Sequence, residues 1–361
     1  MEGTEMPVVI KEYIAEERVL DRALAYPKIR LMGSKYRLLP WIYDIMSRLR
    51  FSTALDAFSG SGVVSYLLKS MGKTVTTNDY LSFAFNVGNG VIANQGQLLS
   101  RPDVMLLTEP NAKREMFCEK TFGGIFFSPE DLRFLDNTWA NLSQFSATKR
   151  SLAIAAMVRA SLKKQPRGVF TVANDRSANY DDGRRDLKLT LKELFLESVD
   201  AFNAVIYEDQ RPHRALVGDA FDAPQGAELV YLDPPYVPRR DDNCYIKRYH
   251  FVEGLSTYWR GAEIIESSRV KKLRKRFTPF SYRKTALAAF DGMFARYRDS
   301  ILVLSYSSNG YPDLNILVDL MARYKHRVSV YEHKHRYHFG THSAVQDERV
   351  VVQEYLLVGT D

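Results

Sequence analysis

Residues 53–79, TALDAFSGSGVVSYLLKSMGKTVTTND, leave the chain little choice of fold. Thr53 to Asp56 reads as a short buried strand, and Phe58 to Gly62 as a glycine-rich turn. Val63 to Met71 has the pattern of a helix stopped by Gly72. Thr74 to Asn78 is a second, β-branched strand ending at Asp79. A strand, helix and strand joined this tightly form a βαβ unit, whose two strands must run parallel. Parallel strands need helices on both faces, so an α/β fold is expected.

The rest of the chain fits that start. RALVGDAFD and ELVYLD read as short strands, and SILVLSYSS (300–308) as a longer one. DLNILVDLMARY has a helical pattern, while RVSVYEHKHRY and RVVVQEYLLVG alternate and predict a closing antiparallel pair. Residues 11–26 predict a helix leading in. Ahead of the first strand, a Gly33-Ser34-Lys35 turn precedes Leu38, Leu39, Ile42, Ile45 and Met46 at helical spacing. Residues 96–200 differ in texture, with helical patterns around 129–145, 149–164 and 186–208 and a polar loop between the last two. The expected division is a core of residues 1–95 and 201–361, interrupted by an inserted, mainly helical domain at 96–200. Residues 239–298 are charged and aromatic with no clean strand period.

Composition excludes several classes. Of 361 residues, 45% are hydrophobic and 26% charged, an ordinary globular balance. No window approaches ~18 consecutive apolar residues, so no membrane span is expected. The opening MEGTEMPVVIKEYIAEERVL has neither a basic n-region nor a long apolar h-region, so no signal peptide is expected and the location is read as cytoplasmic. The 2 cysteines, Cys118 and Cys244, are too few for a disulfide framework and read as reduced thiols.

Two motifs carry chemistry. Asp56-Ala-Phe58-Ser-Gly60-Ser-Gly62 joins a strand to a helix. Its glycines let the backbone turn sharply and let a ligand approach, and the helix N-terminus beyond offers unpaired N–H groups. Asp79, at the end of the next strand, can hydrogen-bond ribose hydroxyls. The spacing D-x-F-x-G-x-G differs from the dinucleotide pattern G-x-G-x-x-G. An adenosine-type cofactor is therefore expected; a purely structural turn is the alternative. The second motif is Asp233-Pro234-Pro235-Tyr236, directly after the apolar run Leu229 to Leu232. Neither proline can donate to a ladder, so the strand must stop. The result is a stiff platform presenting a carboxylate, a carbonyl and an aromatic ring, as a planar base with an exocyclic amino group requires. An ordinary Pro-Pro turn is the bland alternative.

Charge adds a partner. The net charge is +7, and basic residues concentrate between Arg269 and Lys284 with no acidic one among them. Lys271, Lys272, Arg274, Lys275 and Arg276 interleave with Phe277, Phe280 and Tyr282, a pattern suited to tracking phosphates. The alternative is a solvated helix face. In the 163–185 loop, Lys163, Lys164, Arg167 and Arg176 could reach phosphates or guanine edges, and Asn174 and Asn179 could pair with adenine.

In these motifs and their order the chain resembles Dam-like, alpha-group DNA adenine-N6 methyltransferases. Leu31-Met-Gly33-Ser34-Lys35 matches the N-terminal motif, with Leu31 where the family carries an aromatic residue. The glycine motif, the insertion, Gly218-Asp219-Ala220 and DPPY follow in the family's order. The resemblance implies a Rossmann-like fold and S-adenosylmethionine as methyl donor. It implies Gly33 and Lys35 near the methionine moiety and Asp56, Phe58, Gly60 and Gly62 around the cofactor. Asp79 would lie at the ribose and Asp219 at the adenine end. Asp233, the Pro234 carbonyl, Pro235 and Tyr236 would hold the target base, and the aspartate favours adenine. The substrate is then double-stranded DNA with the base flipped out. The insertion becomes the target-recognition domain, and 237–299 a possible second DNA-contacting element.

The expected role is the modification enzyme of a restriction–modification system, working in the cytoplasm at the nucleoid. A cognate endonuclease would be a functional rather than physical partner. Alternatives are an RNA or protein methyltransferase on the same core, or an inactive DNA-binding protein. No metal is expected. Five of the 7 histidines fall between His326 and His342. His333 and His335 share a strand face, but interleaved Lys334 and Arg336 favour an exposed basic strand. His250 could lie near the pocket mouth without a catalytic role.

Overall fold

The computed structural model describes residues 18–166, 168–173, 183–238, 244–336 and 351–361. Helix α1 (Leu39–Met46) precedes β1 (Thr53–Asp56), α2 (Val63–Ser70), β2 (Thr74–Asp79) and α3 (Ser82–Val87). A helical stretch follows: α4 (Arg101–Thr108), α5 (Phe117–Phe122), α6 (Pro129–Asn141), α7 (Ala147–Lys164), α8 (Arg185–Lys188) and α9 (Leu191–Asn203). The chain then returns to strands β3 (Arg214–Val217), β4 (Leu229–Leu232) and β5 (Val237–Pro238). It ends with α10 (Tyr245–Thr257), α11 (Arg283–Arg296), β6 (Ile301–Ser307), β7 (Gly310–Tyr311), α12 (Leu314–Met321), β8 (Arg327–Arg336) and β9 (Val351–Thr360).

Seven strands form one sheet in the order β3-β2-β1-β4-β6-β9-β8. The first five are mutually parallel, and β9 runs antiparallel between β6 and β8. This is the expected α/β sheet with a closing antiparallel pair. Period-2 alternation splits its side chains between two cores. Ala54, Leu229 and Tyr231 face a core shared with α1, α2, α3 and the helices between β2 and β3. Leu55, Val230 and Leu232 face one shared with α11 and α12. All of β4 is buried, which explains its unbroken apolar run.

From β1 the strand order runs outward to β2 and β3 on one side, and through β4 to β6 on the other. The β1/β4 junction is thus the point where the direction reverses, and ligand sites in such sheets open there at the carboxyl ends. Polar N-caps delimit the helices between β2 and β3. Ser100 with Asp103 and Thr190 with Glu193 form reciprocal capping boxes, while Ser128 and Ser146 cap α6 and α7. Among the described residues no helix is long and apolar enough to cross a membrane.

Two parts of the sequence reading change. Residues 239–298, which gave no period, hold α10 and α11. Helix α10 is buried on nearly every side, from Ile246 and Tyr249 to Ser256, so no apolar stripe could show. The first part of the basic run, to Arg274, is not a helix face but one arm of a short hairpin, in which Ile265 N–H donates to the Lys272 carbonyl (2.8 Å) and Arg274 N–H to the Glu263 carbonyl (2.9 Å); its last two basic residues, Arg283 and Lys284, open α11.

Candidate active site

A cavity of about 1010 Å³ opens at the carboxyl ends of β1, β2 and β4. That is at the upper end of the ~300–1,000 Å³ usual for ligand pockets. Gly33, Lys35, Asp56, Phe58, Gly60, Asp79 and the whole Asp233–Tyr236 segment line it. The sequence motifs, far apart in the chain, thus share one chamber.

The glycine turn is shaped from below. Gly60 has φ +48° and Gly62 φ +74°, both in the left-handed region that side chains resist. The Asp79 carboxylate accepts the Gly60 N–H (2.8 Å) and the Leu81 N–H (3.0 Å), so it clamps the turn. Burial pushes the Asp79 pKa up to about 6 against the pull of those amides. Asp56 is buried, with Oδ2 accepting from Ser65 Oγ at 2.6 Å. Burial raises its pKa to about 7; the Ser65 bond opposes this, while the Asp233 and Asp79 charges add to it. Its Oδ1 has no hydrogen bond of acceptable geometry, although the Phe58 N–H favours its charge. A buried carboxylate oxygen left open at the cavity wall suits a ligand bearing a donor or a positive charge. The amino group and sulfonium of S-adenosylmethionine meet that description, so the donor set fits the cofactor.

At the DPPY segment the Lys35 ammonium meets Asp233 Oδ1 at 2.9 Å. Burial raises the Asp233 pKa, and Lys35 pulls it back. The sequence reading put Lys35 at the methionine end of the cofactor; its ammonium here meets the Asp233 carboxylate and the Gly33 carbonyl (3.0 Å). Tyr236 packs against Tyr306 (centroids 5.4 Å apart, planes at 62°). The segment beyond is pinned by antiparallel pairing of Val237 with Tyr311 and Pro238 with Gly310.

Residues that the sequence reading passed over complete the chamber. Helix α10 reaches back to the N-terminal motif. The Tyr249 hydroxyl accepts the Met32 N–H (2.7 Å), and the Tyr245 hydroxyl donates to the Met32 carbonyl (3.2 Å). The same Tyr245 oxygen lies 3.2 Å from where a Cβ on Gly33 would stand. The spacing Tyr245–Tyr249, one helical turn apart on one face, was the available signal. Buried Glu253 on this helix accepts the Phe83 N–H (3.3 Å) at the start of α3, behind Asp79.

Other expected residues fall elsewhere. Gly62 is not in the cavity wall; a Cβ there would come within 2.9 Å of the Tyr26 hydroxyl, so it serves packing. Asp219 is exposed and outside the wall, its Oδ1 accepting the Phe221 N–H at 2.9 Å. Lys163 pairs with Glu197 (3.0 Å) and Asp186 (3.4 Å). Lys164 is buried, bonded to the Leu189 carbonyl and 3.5 Å from Asp131. Both lysines tie the helical stretch together, because acidic neighbours from α6, α8 and α9 pair with them. Arg167, Asn174, Arg176, Asn179, His338 and His342 lie outside the described residues.

Within the basic run, Lys271 pairs with Glu266 (2.8 Å) and Arg274 with Glu263 (2.7 Å). Lys272 is half-buried, while Lys275 and Arg276 are exposed. His250 is buried with Nε2 on the Phe170 carbonyl (2.8 Å), and does not line the cavity. His333 stacks on Trp41, with centroids 5.2 Å apart. Among the described residues no three His, Cys, Asp or Glu side chains group as metal ligands.

Residues 32–276 match the family model described as D12 class N6 adenine-specific DNA methyltransferase. The chain is 26% identical over 327 residues to the type II methyltransferase M2.HphI of Haemophilus parahaemolyticus, covering 86% of this chain and 92% of that protein. It is 22% identical over 354 residues to the modification methylase LlaI of Lactococcus lactis subsp. lactis, covering 91% of this chain and 54% of that one. It is 24% identical over 247 residues to the type II methyltransferase M.NlaIII of Neisseria lactamica, covering 63% and 69%.

Proposed function

Since the chain belongs to the D12 class of N6 adenine-specific DNA methyltransferases, we propose that it is the modification enzyme of a type II restriction–modification system, methylating adenines extruded from duplex DNA. The similar proteins bear type II methyltransferase and modification methylase names, which supports that setting. The motif order supports placing it in the alpha group. On this reading the enzyme works on cytoplasmic, nucleoid DNA, and the helices between β2 and β3 form the target-recognition domain.

One observation carries the assignment of roles: the Asp233 carboxylate, stiffened by two prolines at the sheet's reversal point, faces the same cavity as the glycine turn. Adenine's amino nitrogen is a poor nucleophile because its lone pair is delocalised into the ring. Asp233 and the Pro234 carbonyl accept its two N–H bonds, draw it toward tetrahedral geometry and stabilise the charge that grows during attack. Lys35 holds Asp233 Oδ1 at 2.9 Å and keeps the carboxylate charged, leaving Oδ2 for the base. Tyr236 offers the extruded ring a face in place of its lost neighbours. Asp56, Gly60 and Asp79 hold the cofactor against the turn. S-adenosylmethionine, when bound, supplies an electrophilic methyl group. The shared chamber lets the two ligands meet, so positioning provides much of the acceleration.

The test is transfer of tritiated methyl from the cofactor to unmodified duplex DNA, RNA and protein in parallel, with modified-base sequencing of DNA from expressing cells. Label in duplex DNA at N6 of adenine is expected. Asp233→Ala is expected to lower turnover by roughly 10²–10³-fold, the scale of a lost transition-state contact. Label confined to RNA or protein, or full turnover in the variant, would overturn the reading.

A further inference from the structure

The segment from Lys275 to Arg283 runs along the carboxyl edge of the sheet. At one end, Arg276 Nη1 donates to the carbonyl of Tyr80, a cavity-wall residue just after β2 (3.1 Å). In the middle, buried Phe280 stands edge-on to Phe58 of the glycine turn (5.4 Å) and stacks on Phe221 (5.9 Å). At the other end the Arg283 guanidinium lies 4.4 Å over the ring of Tyr311, whose backbone pairs with Val237 beside the DPPY segment. Three anchors thus fix the segment from β2, across β1, to the far side of the chamber. Phe280 belongs to the core on the α11 side, the opposite face from the helices between β2 and β3.

Between the anchors two rings stand in solvent. Phe277 and Tyr282 stack on each other (centroids 5.3 Å apart, planes at 15°) while remaining 66% and 45% exposed. Burying an aromatic ring is favourable, and this exposure forgoes part of that gain. The neighbours are Lys275, Arg276, Arg283 and Lys284, and no acidic residue occurs between Arg269 and Lys284. Flat rings framed by cations suit a polyanion with exposed π-faces, which is unstacked nucleic acid. A second copy of the chain is a poorer occupant: two rings offer at most about 300–500 Å² per copy, short of the ~600 Å² per copy that a stable interface buries.

We propose that Phe277 and Tyr282 form a DNA-stacking platform that holds a nucleotide flanking the extruded adenine. It lies beside the chamber, held to its rim through Tyr80 and Phe58, on the face of the sheet opposite the helices between β2 and β3. The inference rests on the reading that the enzyme methylates duplex DNA. Its job is to keep the opened duplex from reclosing over the chamber, which shows in DNA affinity and not in cofactor affinity.

The experiment compares wild-type protein, the double variant Phe277→Ala/Tyr282→Ala and the ring-preserving double variant Phe277→Tyr/Tyr282→Phe. Steady-state methylation of unmodified duplex DNA gives the KM for DNA, calorimetry gives cofactor affinity, and light scattering gives the oligomeric state. The alanine pair is expected to raise the KM for DNA roughly tenfold or more, with cofactor affinity unchanged. The ring-preserving pair is expected to stay close to wild type. An unmoved KM in the alanine pair overturns the platform, as does an equal loss of cofactor affinity. So does loss of self-association with the KM unmoved. Wild-type protein that transfers no methyl to duplex DNA overturns the functional reading and the platform with it.

Discussion

Asp56 gives the sharpest test of the chamber's electrostatics. Its carboxyl is buried at 1% exposure, and its pKa rises from 3.8 to about 7, chiefly because burial penalises the charge. A carboxyl whose folded pKa exceeds its unfolded value binds its proton more tightly in the native state. Stability from this group is therefore fully present below pH ~4 and falls as pH rises toward 7. The shift of about 3 units corresponds to roughly 4 kcal/mol at 1.36 kcal/mol per unit. Asp56→Asn keeps the shape and can still accept the Ser65 hydroxyl, but it does not titrate. Urea unfolding of the cofactor-free protein between pH 4 and 8 is expected to show the variant gaining stability relative to wild type across that window. The gain should level off above pH ~7. Asp79 and Asp233 titrate in both proteins, so the difference reports Asp56 together with its repulsion from those two carboxylates. A bound donor or cation at Oδ1 needs the ionised form, so wild-type cofactor affinity is expected to fall up to tenfold per pH unit below 7. Parallel stability curves for the two proteins would refute the claim that burial sets this pKa.

Three further outcomes are expected. Tyr236→Ala cuts methylation strongly at near-unchanged cofactor affinity while Tyr236→Phe keeps most activity, since stacking is worth about 1–3 kcal/mol per base; 2-aminopurine at the target position should brighten on binding wild-type protein, and equally inactive Ala and Phe variants would give the hydroxyl a role. Tyr249→Phe leaves the Met32 N–H without its acceptor and is expected to cost about 1–3 kcal/mol in urea unfolding. Turnover should fall with it as Lys35 loses its fixed support; unchanged turnover would separate this clamp from catalysis. Lys163→Ala is expected to lower stability by up to about 1 kcal/mol, with the log–log salt dependence of DNA binding unchanged. A flatter slope would return Lys163 to the DNA contacts.

The parts of this protein legible from sequence are those whose causes lie within a few residues. Gly60 and Gly62 announce a turn because positive φ is a local steric matter. Pro234 and Pro235 end β4 because neither has an N–H to give. The apolar run Leu229–Leu232 announces a strand buried on both faces, and a helix between two such strands forces them parallel. These local features also carried the family's fingerprint, so cofactor, chemistry and target base could be read from them.

Tertiary packing decided everything that depends on who meets whom. The sequence reading put Lys35 at the cofactor; the packing of the N-terminal motif against the end of β4 brings it to Asp233. Met32 and Tyr249 are 217 residues apart, and only the docking of α10 joins them. Helix α10 itself gave no periodicity because it is surrounded, and a pattern shows only when one side meets water. Lys163 and Lys164 looked like DNA contacts because a basic side chain in a sequence carries no record of its acidic partners. Those partners arrive from other helices, and a charge is available to a ligand only where the fold has not already neutralised it.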